Sequence, residues 1–176
     1  YSNWQHGFVP GTNDYVVIPA NSSHYPTISN VLTVNTLEIH SGASFIANNA
    51  VTGTVKYTRN LPTSNWYVIA SPVVGQDINS FVSNIEGGLE TGTKSNNIGL
   101  SLRYNTVTDT WSYLQSGASG TGAFTNGEGH SINLENASAD ISFIGAMLTD
   151  NLTPINLTTT GSGYNLIGNP YPSYLN

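Results

Sequence analysis

The chain has 176 residues, of which 38% are hydrophobic and only 8% charged, and it contains no cysteine. Four basic residues against ten acidic ones give a net charge of -6, too few cations to build a phosphate-binding patch, so nucleic acid is excluded as a partner and an anionic membrane surface is disfavoured. A disulfide framework and a thiolate metal site are excluded as well, and no apolar run approaches the ~20 residues of a membrane helix.

The gap left by charged residues is filled by Asn, Ser, Thr and Gly, a mix that suits half-buried strands and tight turns rather than salt-bridged helices. Residues 1–60 alternate in short bursts. The segments beginning at Tyr15, Thr36 and Thr54 lie 21 and 18 residues apart, with turn signals at Pro10-Gly11, Asn21 to Ser23, Ser41-Gly42 and Gly53 between them. A spacing near 20 is that of successive rungs of a β-solenoid; a plain β-meander is the alternative. Trp66 to Val73 then forms an apolar strand ended by Pro72, with Trp66 placed in the core. Ile78, Phe81, Val82 and Ile85 follow helical spacing, with Asp77 placed to cap and Gly87-Gly88 to stop it. This predicts one short helix over 78–85 that buries Phe81 and Ile85.

From Leu100 the chain returns to alternation. Leu100 to Tyr104 and Trp111 to Leu114 read as a hairpin, followed by strands at His130–Leu134, Ile141–Ile144 and Ile155–Leu157. Tyr164 to Ile167 leads into Gly168, Asn169, Pro170 and Pro172, a second strand ended by proline. The two proline-ended strands are expected side by side at the centre of one sheet, with both faces covered. Turns at an 8–12 residue rhythm indicate an all-β sandwich or jelly roll over 61–176, with residues 1–60 packed on it as an N-terminal, solenoid-like segment in one compact unit. Tyr1 is not a start residue, and the chain reads as part of a longer precursor with other domains.

Asn3-Trp4, Val9 to Asp14, Val16 to Pro19, Leu37 to Ser44, Arg59, Trp66 to Val73 and Gly163 to Ser173 together resemble a module of large surface proteins of the Bacteroidota exported by the type IX route. The Asn-Pro-Tyr-Pro-Ser turn at 169–173 is the most specific part. The resemblance implies an extracellular address, secreted or attached to the cell surface, beside polysaccharide-degrading enzymes or in adhesins, and it implies no defined reaction. His130, in Gly127-Glu-Gly-His130, departs from that pattern, where an aromatic residue is usual.

Chemistry-bearing constellations are sparse. Ser119 in Gly117-Ala-Ser-Gly120 lacks the strand-turn-helix setting of a nucleophile elbow. Glu86 and Glu90 are separated by glycines, while Glu128, Glu135 and Asp140 are candidates for one rim of the sheet. The four histidines share no ligand spacing, so no cofactor is expected. Calcium alone has candidates, at Asn13-Asp14 and Asp150-Asn151, where turn formation accounts for the same residues. The aromatics carry the stronger pattern. Trp and Tyr offer faces to sugar C–H surfaces while Asn, Asp and Arg suit their hydroxyls, and one hairpin carries Arg103, Tyr104, Asn105, Asp109, Trp111 and Tyr113. The expected function is therefore a non-catalytic carbohydrate-binding module with a polysaccharide as partner, Trp111 and Tyr113 stacking and Arg103 as polar partner. A structural or adhesive spacer without a small ligand is the alternative, with Tyr104 and Trp111 then a cross-strand pair inside the core. Three exposed aromatics in a line would favour the first.

Overall fold

The structure is a computed structural model and describes residues 4–5, 7–92, 96–149 and 154–173. Its first strands are β1 (Tyr15–Ile18), β2 (Thr27–Ile28), β3 (Leu32–Ile39), β4 (Ile46–Ala47) and β5 (Val51–Leu61). Strands β1, β3 and β5 run parallel, with Val16 opposite Leu37 and Leu37 opposite Val55, and β2 pairs parallel with β4. Those partners are offset by the 21- and 18-residue spacing of the sequence, and a meander would have paired neighbours antiparallel. Residues 15–61 are thus stacked rungs. The inward stack Val16–Leu37–Val55 is buried throughout, each such side chain stabilising by about 1.5–3 kcal/mol. On the outer face Tyr15 Oη donates to Glu38 Oε2, and Lys56 Nζ donates to Glu38 Oε1 at 2.9 Å.

After the rungs come β6 (Tyr67–Ile69), β7 (Val73–Val74), helix α1 (Ile78–Ser83), β8 (Asn97–Asn105), β9 (Thr110–Gln115), β10 (His130–Ile132) and β11 (Ala139–Met147). One sheet has the order β1-β3-β5-β11-β7 and a second the order β6-β10-β8-β9. The result is an all-β, sandwich-like fold with, among the described residues, one short helix. The chain changes sheets between β6 and β7 at Ser71-Pro72, where the buried Ser71 Oγ donates to Val73 O at 2.8 Å and Pro72 needs no ladder partner.

Helix α1 forms where its spacing places it but ends at Ser83, two residues short of the expected 85. Asp77 Oδ1 accepts from Ser80 N at 2.8 Å as the N-cap, and Ile78, Phe81 and Ile85 are buried. Phe81 stacks on Phe143 of β11 at 4.7 Å and meets Phe124 edge-on at 5.1 Å; Phe124 in turn meets the ring of His130 of β10 at 4.9 Å. Those four rings tie the helix to both sheets. His130, where the resemblance would have an aromatic, packs as one.

The second proline-ended segment departs from expectation. Residues 164–167 form no strand, only an isolated bridge between Ile167 and Glu128, and Tyr164 and Ile167 are 75% and 54% exposed rather than covered. The cause is local. The Asn165 side chain takes both backbone groups of Thr158, accepting from its N–H at 3.1 Å and donating to its carbonyl at 2.9 Å. Residues 155–157 form no strand either, where one was expected. Strand β6 is at the sheet edge, not the centre. The two turns do meet: Gly168 lies so close to Ala70 that a Cβ on the glycine would stand 2.2 Å from that of Ala70. Among the described residues no helix is long and apolar enough to cross a membrane.

Candidate functional site: an aromatic row on the four-stranded sheet

The β8–β9 hairpin is set by its turn. Asn105 Oδ1 accepts from Val107 N at 3.0 Å and Thr108 N at 3.2 Å, and Asp109 takes a positive φ of 53°, a conformation that Asn and Asp tolerate best after glycine. This fixes the register, with Tyr104 opposite Trp111 and Arg103 opposite Ser112. Because successive strand residues point to opposite faces, Tyr104, Trp111 and Tyr113 share one side and Leu114, which is buried, takes the other.

The three rings form a row. Tyr104 and Trp111 are 4.9 Å apart at 50°, and Trp111 and Tyr113 are 6.5 Å apart at 29°, close to the rise of two strand residues at about 3.3 Å each. Trp66 extends it, meeting Tyr113 at 5.7 Å and 61°. Trp111 is 40% and Trp66 51% exposed, so Trp66 does not belong to the core as the sequence reading had it. It shares alternation parity with Val68, also exposed, while Ile69 takes the buried side. That parity was the available signal for it.

The polar groups of the hairpin divide. Tyr104 Oη donates to Asp109 Oδ1 at 2.6 Å, and the accepting carboxylate holds the phenol above its ordinary pKa. Asp109 and Asn105 are thereby engaged in the turn itself. Arg103 projects from the opposite side to Tyr104, yet both residues line, with Asn105 and Glu128, a cleft of about 450 Å³ at the end of the row. The structure therefore brings Tyr104, Trp111, Tyr113 and Trp66 together, keeps Asp109 at the row's end through Tyr104, and sets Arg103 and Asn105 beside that end, in the cleft that Tyr104 also lines.

Between Trp66 and Tyr113 lies a corner of about 300 Å³, also lined by Glu90, Gly92, Asn97, Ile98 and Asn133. Its floor is closely built. Asn133 N donates to Gly99 O at 2.8 Å, Gly99 N to Glu90 O at 2.7 Å, and Glu90 N to Asn133 O at 3.0 Å. A Cβ on Gly99 would stand 2.3 Å from the Asn133 carbonyl oxygen, so only glycine allows this approach. Asn133 Oδ1 is buried and accepts no hydrogen bond.

Elsewhere, Asp14 Oδ2 accepts from Gly11 N at 2.7 Å as part of its turn, and Asp150-Asn151 lies outside the described residues. Among the described residues no three His, Cys, Asp or Glu side chains converge as a metal-holding group. Of the three carboxylates considered for one rim, Asp140 accepts from Asn60 on the five-stranded sheet, Glu135 adjoins Gly88, and Glu128 adjoins Ile167. Comparison with family models, curated proteins and solved structures found no match.

Proposed function

We propose that this protein is a non-catalytic carbohydrate-binding module that takes a polysaccharide along the row Tyr104–Trp111–Tyr113–Trp66. The observation that carries the reading is the row itself: four rings in sequence, both tryptophans largely open to solvent, on a chain with 8% charged residues. Aromatic faces left in water cost free energy, and a pyranose C–H face is a fitting cover for them. A shallow platform gains modest apolar burial and a few hydrogen bonds, partly cancelled by desolvation and ordering, so affinity falls in the micromolar to millimolar range, about -8 to -4 kcal/mol. Because no cation of the described residues stands on the row, binding changes little between low and moderate salt.

The resemblance to surface-protein modules of the Bacteroidota supports an extracellular setting, in which such a module holds a neighbouring enzyme or a cell against a glycan. Affinity electrophoresis against a polysaccharide panel tests the reading. Retardation by at least one neutral polysaccharide, reduced in Trp111→Ala, is expected. No retardation by any member would leave the spacer reading in its place.

A further inference from the structure

We propose that the corner between Trp66 and Tyr113 is the selective subsite of this surface, built for an uncharged sugar that donates a hydroxyl hydrogen to Asn133 Oδ1 and a second to Glu90. This rests on the carbohydrate reading and says which glycans it covers. Three observations converge. The two rings meet at 61°, the steepest angle in the row, so they make a wall and a floor where Trp111 and Tyr113, at 29°, lie nearer to one plane. A pyranose laid on Trp66 has its edge against Tyr113.

The second observation is Asn133 Oδ1, buried and without a donor. An acceptor left this way costs what a lost hydrogen bond costs. Tyr67 pairs with Ile132, so Trp66 and Asn133 stand side by side, and a ring seated on the tryptophan brings its hydroxyls to the amide. Backbone bonds to Gly99 and Glu90 hold the Asn133 main chain in place, and a rotation of the side chain turns Oδ1 from its buried position to meet the ligand.

The third is the chemistry of the other lining groups. Asn97 Oδ1 is already taken by Gln115 Nε2. Glu90 is half-buried and adds a second acceptor, and no described residue of the lining is cationic. Acceptors without a cation select donors and repel anions. Neutral hexose or pentose units fit; uronic acids and sulfated units do not, and the net charge of -6 works the same way over distance.

The test is calorimetric titration at pH 7 and low salt. The probes are neutral gluco-, manno- and xylo-hexasaccharides and a galacturonate hexamer. The proteins are wild type, Asn133→Ala, Glu90→Gln and Trp111→Ala, each checked for folding by circular dichroism. At least one neutral hexamer is expected to bind, with the galacturonate at least about tenfold weaker. Asn133→Ala should weaken the neutral ligand about tenfold, the effect of stranding one buried polar partner, and Glu90→Gln should narrow the gap between neutral and acidic ligands. Asn133→Ala binding within twofold of wild type, while Trp111→Ala loses affinity, would overturn the subsite and leave the platform standing. Equal affinity for galacturonate would overturn it as well. Should Asn133→Ala fail to fold, Glu90→Gln decides: unchanged selectivity overturns the subsite. Wild type that binds no neutral hexamer overturns both readings.

Discussion

Phe81, Phe124 and Phe143 meet at centroid distances of 4.7–5.7 Å where the helix is clamped between the sheets, whereas Tyr104, Trp111, Tyr113 and Trp66 meet at 4.9–6.5 Å on the outside of one of them. Ring geometry is nearly the same in both places, within the range aromatic pairs favour. Composition differs. The inner cluster is all Phe, with His130 at its edge, and the outer one is all Tyr and Trp, whose polar tips can stay hydrated or bonded while the faces remain open. An aromatic cluster is therefore not evidence of a core. Which rings are used, and whether a neighbouring strand residue such as Leu114 takes the buried side, decides whether the cluster holds the fold together or offers a surface.

The sharpest way to separate the two is to remove one ring from each. Phe81→Ala should cost about 3–5 kcal/mol in urea melts, because the site is fully buried and cannot collapse. A loss under about 1 kcal/mol would mean that the inner cluster does not anchor the helix. Trp111→Ala should do the converse. Its folding stability changes by no more than an exposed aromatic pair contributes, about 0.5–1.5 kcal/mol, while glycan affinity drops at least about tenfold.

Two smaller effects sharpen the inner side. Asp77→Ala removes the cap whose carboxylate accepts from Ser80 N and should cost about 1 kcal/mol, visible as a lower urea midpoint at unchanged slope. His130 gives the smallest effect, read against pH. Burial holds its pKa below the ordinary value of 6.5. Nδ1 lies 3.0 Å from Ser101 O, so it carries the hydrogen and Nε2 is left bare and without a partner. The unfolded chain then takes up a proton as pH drops through 6.5 while the folded one does not, so stability declines from that point downward. His130→Phe should lack this step. Glu38 adds a separate decline at lower pH, since the hydrogen bonds from Tyr15 and Lys56 hold its carboxyl below the ordinary value of 4.5. Melts at pH 7, 6 and 5 distinguish them, and an unchanged pH profile in His130→Phe would contradict the assignment to His130.

Much of the fold was legible because it is written in local periods. The rungs appear as a repeat of 21 and 18 residues, the helix as i, i+3, i+4 spacing behind an aspartate, and the hairpin as alternation around a turn that Asn105 opens and Asp109 closes. What failed was decided by single side-chain bonds and edges. Tyr164 to Ile167 has a strand's composition, but Asn165 occupies the backbone of Thr158 and no ladder forms. Trp66 was assigned inside because its segment was taken as central, and β6 proved to be an edge strand. Of the surface, Tyr104, Trp111 and Tyr113 were legible as a group. Strand alternation turns Arg103 away from the ring faces, into the cleft it shares with Tyr104, and Asn133 could not be found from sequence, because a stranded acceptor is visible only once its surroundings are known.

Carbohydrate binding by the row is tested most directly by one titration, neutral oligosaccharide into wild type and Trp111→Ala, both shown folded by circular dichroism. The expected result is a micromolar to millimolar dissociation constant for the wild type and one at least about tenfold weaker for the variant. Equal binding by the two proteins, or no binding by the wild type, would contradict it.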